Sequence, residues 1–382
     1  MTAGDPAQPG TVLLIGGGTG GHIYPLLAIA EHLRDLVPSA HLVAVCSDRA
    51  IDAKVLQPAL DRGEVDQVVP IPARPLSLRP GGLFRLGRSW RPCVSTVAKT
   101  IEAFPAPVAA VSTGGFVSMP ACHACRGAGV PVSLVALDTP PGKATRWLAR
   151  RTATRFNASP ADLHRWTRVG PLVRRAARPI GTPADARAAL GLDPDRRTLV
   201  IMGGSQGART INGFIDAFMH AHGQRLAADH WQVLHQTGAD AHAELEVAAR
   251  EWGVSARVVP FLDPIGRAWA AADLVLARAG AGTVSEATLA GVPCVFMPYP
   301  FHVDRHQARN AEPLVSMGQA SVLDDRIDPA ANLAAHAETL LGILLNAASG
   351  HDQSTENRVA PISGDGGLLI ARHLTATQSK IE

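Results

Sequence analysis

Two glycine loops, Gly16-Gly17-Gly18-Thr19-Gly20-Gly21-His22 and Gly203-Gly204-Ser205-Gln206-Gly207-Ala208, constrain this chain more than any other feature. Each follows a short apolar run, Thr11–Ile15 or Thr198–Met202, and each opens onto a helical pattern. A strand that breaks into glycines before a helix turns backbone N–H groups and the helix dipole toward an anion. One such unit is a weak signal. Two of them, a domain's length apart in 382 residues, predict two nucleotide-fold domains with a ligand between them.

Further apolar runs recur at Ala40–Val45, Val108–Val111, Val132–Leu137, Trp231–His235, Arg257–Phe261, Leu274–Ala277 and Pro293–Met297. Several are apolar throughout, as parallel strands covered on both faces require. Strand–helix alternation of this kind predicts an α/β chain with open parallel sheets and right-handed crossovers. After the first loop, Leu26, Leu27, Ile29, Ala30 and Leu33 repeat at helical spacing, with Pro25 near the helix start. The stretch Val173–Ala186, rich in Arg, Pro, Gly and Ala, marks the boundary between domains over 1–178 and 179–363. Residues 347–367 read as a loop, and a final helix over about 364–378 is expected to pack back on the first domain.

A hydrophobic content of 46% and a charged content of 18% describe a soluble globular protein. The net charge of +3 is small but unevenly spread. Between Thr139 and Ala184, ten Lys or Arg residues face the single acid Asp162, and Arg74 to Arg91 carries five arginines and no acid. Such patches attract phosphates or an anionic membrane surface. They lack the RNP, zinc-finger or helix-turn-helix context of a nucleic-acid binder, so no nucleic-acid partner is expected. The N-terminus has no secretory pattern, and no apolar run reaches the roughly 18 residues of a bilayer span. Five cysteines at irregular spacing form no disulfide framework. A cytoplasmic protein is expected. Cys122-His123-Ala124-Cys125 has no second ligand pair, so packed thiols are expected there rather than a metal.

Gly16, Gly18 and Gly21 satisfy the dinucleotide fingerprint, but its ribose-binding acid has only the late Asp48 as a candidate. Arg278-Ala279-Gly280-Ala281-Gly282-Thr283-Val284-Ser285-Glu286 fits a nucleotide better. Its small residues let a diphosphate approach a helix N-terminus, and Glu286 can accept both ribose hydroxyls. The competing reading makes Glu286 a first-turn acid that stabilises the helix dipole. Downstream, Pro298 to Ala311 is a polar loop entering a helix, able to present amide and imidazole groups to sugar hydroxyls.

These residues resemble the MurG-type transferases of peptidoglycan synthesis, which are two-domain GT-B glycosyltransferases. The resemblance runs from about Val12 to Ala320. It rests on Gly17–His22, Thr113-Gly114-Gly115-Phe116-Val117-Ser118, Gly203–Ala208, Gly282–Glu286 and His306–Ala311. It implies a GT-B fold of two doubly wound Rossmann-like domains with the active site in the cleft between them. It also implies inverting transfer of N-acetylglucosamine from UDP-GlcNAc to a polyprenyl-linked acceptor, undecaprenyl-diphospho-MurNAc-pentapeptide. No cofactor or metal is implied. The protein would sit on the inner face of the cell membrane, with the Arg74–Arg91 stretch and its Leu76, Leu78, Leu83, Phe84, Leu86 and Trp90 as the contact.

The resemblance assigns Glu286 to the ribose, Ser205 and Gln206 to the donor phosphate loop, and Phe261 and Leu262 to uracil. Arg174 is assigned near the donor, Gln307 to the GlcNAc hydroxyls, and Thr19 and Gly20 to the donor side of the first loop. Gly21, His22, Phe116 and Asp138 fall on the acceptor side. Two roles are open to His22: the base that takes the acceptor's proton, or a partner of phosphate. The family's His-Glu-Gln-Asn segment reads Val135-Ala136-Leu137-Asp138 here, and its Tyr position holds Phe116. Asp138 is therefore either a substitute base or acceptor anchor, or a helix cap before Pro140-Pro141-Gly142. The altered segment leaves two alternatives: a related transferase with another acceptor, and a non-catalytic UDP-sugar-binding protein.

Overall fold

The computed structural model describes residues 10–75, 82–104, 108–159, 162–204, 207–301, 305–349 and 364–378. The chain divides into two compact units, residues 1–174 with 364–382, and residues 175–363.

The first unit contains β1 (Thr11–Ile15), α1 (Gly20–Leu36), β2 (His41–Ser47), α2 (Ala50–Asp61), β3 (Gln67–Ile71) and α3 (Gly82–Glu102). It continues through β4 (Val108–Ser112), α4 (Ser118–Gly127), β5 (Val132–Ala136), α5 (Lys143–Ala149), β6 (Thr154–Asn157) and β7 (Thr167–Arg168). The strands form one parallel sheet in the order β3-β2-β1-β4-β5-β6-β7. All five residues of β1 are buried, because helices cover both faces of the sheet's centre.

The second unit contains α6 (Pro183–Ala189), β8 (Arg197–Met202), α7 (Arg209–Ala228), β9 (Trp231–Gln236), α8 (Ala239–Ala248), β10 (Ala256–Val259) and α9 (Ile265–Ala271). Then follow β11 (Leu274–Ala277), α10 (Ala281–Ala290), β12 (Cys294–Phe296), α11 (His306–Ser316), β13 (Ala320–Val322) and α12 (Pro329–Ser349). Its sheet, again parallel, has the order β10-β9-β8-β11-β12-β13. Phe214 and Phe218 of α7 and Trp231 of β9 are fully buried in one apolar cluster with Leu340 and Leu344 of α12.

The nine apolar runs read from the sequence each coincide with a strand. The strands that were not read are β3, β6, β7 and β13. The loop expected over 347–367 falls mainly outside the described residues, apart from the end of α12 and the start of the last helix. That helix, α13 (Gly366–Gln378), belongs to the first unit and packs on α1, where His32 Nε2 lies 2.9 Å from an Asp365 carboxylate oxygen.

In both sheets the order reverses direction between two central strands, β1 and β4 in one and β8 and β11 in the other. Loops that leave such a pair diverge to opposite faces and open a crevice at the strands' C-terminal ends. Ile15 lies beside Ser112 and Met202 beside Ala277, so each glycine loop begins at that point.

Truncating Phe218 to alanine removes an aromatic ring from the α7 layer. The Phe218→Ala variant is expected to lose about 3–5 kcal/mol of unfolding free energy in urea titration. A loss below about 1 kcal/mol would show that this layer is not closely packed.

Candidate active site

In the first unit the loops after β1 and β4 are tied to each other through His22. Its Nδ1 lies 3.0 Å from the Thr113 carbonyl oxygen, while Thr113 Oγ1 donates to the His22 carbonyl at 2.8 Å. A carbonyl oxygen only accepts, so Nδ1 carries the hydrogen and a neutral ring keeps its lone pair on Nε2. Gly115 has φ +81°, and a Cβ there would stand 3.1 Å from His22 Cδ2 and 3.0 Å from the Gly17 carbonyl oxygen. Gly18 has φ +89°, and a Cβ there would collide with the Phe116 ring at 2.2 Å. Glycine at both positions lets the imidazole and Phe116 lie against opposing backbone. Arg49 stacks over Phe116, 4.7 Å from the ring centroid, and Arg74 pairs with Asp48 at 2.7 Å. Thr19, Gly20 and Gly21 are at least partly open to solvent at the start of α1.

Asp138 is half-buried just beyond β5, on the same sheet edge. The helix after it begins at Lys143 with Gly142 at its cap, so Asp138 does not cap it. Arg174 is occupied in a way the resemblance does not imply. Its Nε donates to Glu31 at 3.0 Å and its Nη2 to both Glu64 oxygens at 2.8 Å, all within the first unit. Cys122 and Cys125 are buried, and burial pushes the Cys122 thiol up to about 12. Among the described residues no group of three His, Cys, Asp or Glu could hold a metal.

In the second unit Ser205 and Gln206 lie outside the described residues. Around them, Gly204 and Gly207 have φ +82° and +74°, and Gln236 Nε2 donates to the Gly204 carbonyl at 2.9 Å. The start of α7 is pinned by Asn212, whose Nδ2 donates to the Thr237 carbonyl at 2.9 Å. Arg278 ties this region to the ends of β11 and β12. It donates to the Met297 carbonyl at 2.8 Å, to buried Asp325 at 2.8 Å, and to Thr210 of α7. A Cβ at Gly280 or Gly282 would meet no protein atom within 4 Å, so glycine here keeps the N-terminus of α10 uncovered.

Glu286 is not a first-turn acid. Helix α10 begins at Ala281, so Glu286 occupies the second turn, where the helix dipole no longer accounts for a carboxylate. Its Oε2 accepts a 2.9 Å hydrogen bond from the indole N–H of buried Trp269. Burial raises its pKa to about 7, and the Trp269 bond offsets part of that rise. Leu262 is buried beyond β10, whereas Phe261 is exposed. Gln307 Oε1 accepts from the Tyr299 backbone N–H at 2.8 Å, which fixes the amide so that Nε2 is the outward donor.

Comparison with known proteins follows this division of the chain. Residues 12–156 match the model of the glycosyltransferase family 28 N-terminal domain, and residues 198–362 match that of the family 28 C-terminal domain. The chain belongs to glycosyltransferase family 28. A Nocardioides relative, named UDP-N-acetylglucosamine–N-acetylmuramyl-(pentapeptide) pyrophosphoryl-undecaprenol N-acetylglucosamine transferase, is 38% identical over 374 residues. That match covers 94% of this chain and 98% of the relative. A Sorangium cellulosum protein of the same name is 34% identical, covering 93% and 87%. The crystal structure of Acinetobacter baumannii MurG shares the fold, with a TM-score of 0.70 at 21% identity, over 97% of this chain and 100% of that one.

Within this family 28 chain, sequence reading missed the residues that hold the site from behind. Trp269 sits in an alanine-rich helix and Asp325 in an unpatterned loop, and neither carries a motif. Trp269 fixes the Glu286 carboxylate, and Asp325 fixes Arg278.

The raised pKa of Glu286 has a definite sign in stability. The folded state binds its proton more tightly than the unfolded state, so the stabilisation is complete below about pH 4.5 and is lost as pH rises through about 7. Glu286→Gln keeps the acceptor for Trp269 and removes the titration. The melting temperature of the native protein relative to Glu286→Gln should therefore fall between pH 5 and pH 8. A constant difference would show that Glu286 is not buried as described.

Proposed function

We propose that the chain transfers N-acetylglucosamine from UDP-N-acetylglucosamine to the pyrophosphoryl-undecaprenol-linked N-acetylmuramyl pentapeptide, the activity in its relatives' name. The observation that carries this reading is 38% identity across nearly the whole of both chains, together with family 28 domains in each unit.

The site residues divide the work. In the second unit, Glu286 accepts the ribose hydroxyls, and the uncovered start of α10 and the loop around Ser205 and Gln206 receive the diphosphate. Leu262 borders the uracil. Gln307 donates through Nε2 to a sugar hydroxyl. In the first unit, His22 Nε2 takes the proton of the acceptor hydroxyl as that oxygen attacks C1 of the sugar. The C1–oxygen bond to UDP breaks on the opposite face, so the anomeric centre inverts and the electron pair leaves on the diphosphate. The bare Nε2, held by the Nδ1 hydrogen bond to Thr113, supports the base over the phosphate-partner role. Arg174 is left out of this scheme because Glu31 and Glu64 already hold it. Thr19 and Gly20 face the donor from the first glycine loop, while Gly21, Phe116 and Asp138 border the acceptor.

The acceptor's lipid requires access to a membrane surface, and α3 supports one. No helix among the described residues is long and apolar enough to cross a membrane. Helix α3 buries Cys93, Val97 and Ile101 while Phe84, 71% exposed, stands among exposed Arg85, Arg88 and Arg91. An apolar ring among cations fits an anionic lipid headgroup layer. Leu76 and Leu78 lie outside the described residues.

Two measurements test the reading. UDP release from UDP-N-acetylglucosamine should require a lipid-linked acceptor analogue and fall at least about 100-fold in His22→Ala. Acceptor-independent release, or donor binding with no release, would move the chain to another acceptor or to a sensor. Flotation with anionic vesicles at low salt should recover the native protein, and Phe84→Ser with Arg88→Glu should abolish recovery. Equal recovery would remove α3 as the membrane contact.

A further inference from the structure

Asp52 is a fully buried carboxylate in the first turn of α2, and the chemistry described above does not use it. Its hydrogen bonds reach across to the first glycine loop. The Gly18 N–H donates to Oδ1 at 2.9 Å and Oδ2 at 2.7 Å, while Ser47 donates its N–H at 2.9 Å and its hydroxyl at 2.6 Å, both to Oδ2. A Cβ at Gly17 would stand 2.4 Å from Oδ2, so this loop passes over the carboxylate with no room for a side chain. A charge taken fully out of water is tolerated when N–H and O–H groups replace its hydration, as they do here.

Beyond the two His22–Thr113 bonds, the helix end of the loop lacks the usual N-terminal supports. Thr19, at the cap of α1, makes no side-chain capping bond, and the first turn of α1 contains no acid. From Asp52 the connection is short: Gly18 leads through Thr19 to the start of α1, and the His22 N–H donates to the Thr19 carbonyl at 3.2 Å. Ser47 ends β2, next to β1, so the carboxylate joins the sheet edge to the loop that carries the imidazole.

We propose that Asp52 is a positioning residue for the transfer reaction: it anchors the Gly17–Gly18 turn so that His22 keeps Nδ1 on the Thr113 carbonyl and Nε2 toward the acceptor. The proposal rests on the base role given to His22 above. Asp52→Asn nearly preserves shape, but its NH2 group meets N–H donors instead of accepting from them.

Side-chain 15N NMR of histidine-labelled protein, with the His22 signals identified by their loss in His22→Ala, tests the anchoring without turnover. Native His22 should show the Nδ1–H tautomer, and Asp52→Asn should convert a large fraction to Nε2–H. In steady-state kinetics Asp52→Asn should lower kcat about 10- to 100-fold, while KM for UDP-N-acetylglucosamine stays within about twofold. A folded Asp52→Asn with native His22 signals and kcat within about twofold would overturn the proposal. Should that variant not fold, Ser47→Ala removes one donor and leaves the carboxylate. It should lower kcat about three- to tenfold with donor KM unchanged, and native kcat would overturn the proposal. Native protein that fails to turn over the acceptor analogue would defeat the functional reading, and the tautomer measurement would still decide the role of Asp52.

Discussion

Burial of parallel strands on both faces is the constraint from which the rest of this structure follows. A parallel sheet needs a crossover after every strand, and helical crossovers cover both faces with apolar surface. All strands then point the same way, and every loop that leaves a C-terminal end arrives at one edge. The five buried residues of β1 and the buried run of β8 enforce this in their separate units. His22, Phe116 and Asp138 share an edge for that reason, as do Glu286 and the glycines Gly203 and Gly204 in the other sheet.

Glycine loops at such an edge have freedom that the sheet does not remove, and buried polar groups remove it. In the first unit a carboxylate, Asp52, gathers the N–H groups of the loop and of the end of β2. In the second unit a guanidinium does the converse, as Arg278 gathers carbonyl oxygens, Thr210 and the Asp325 carboxylate. Each group is shielded from solvent, so displacing a partner leaves an unsatisfied charge in a low-dielectric setting. Rigidity at the site therefore comes from behind it.

Several features were legible because their physics is local. Apolar runs such as Val132–Leu137 and Leu274–Ala277 read as strands because burial on both faces leaves no alternation to confuse them. The strands that escaped are short or lie toward the edges. β3 contains Pro70 and exposed Gln67, while β7 is two exposed residues. Such strands bury less apolar surface, so their sequences carry less of the signal. The sequence pattern puts Glu286 in the first turn of its helix and the structure puts it in the second, because the helix begins within the run of small residues at 279–282 and no capping side chain marks the start.

The sequence by itself determined the two α/β halves, the glycine loops at their centres and the family to which they belong, since spacing and residue type encode all three. Tertiary structure decided which partner each polar side chain takes. Asp52 meets Gly18 from 34 positions away, Arg174 meets Glu64 from 110, and Trp269 meets Glu286 across two helices. Partnerships of this kind depend on how crossovers pack against a sheet, and no local pattern of residues records that geometry. The same packing set the tautomer of His22 and the raised pKa of Glu286, because a carbonyl acceptor and a buried environment exist only once distant segments meet.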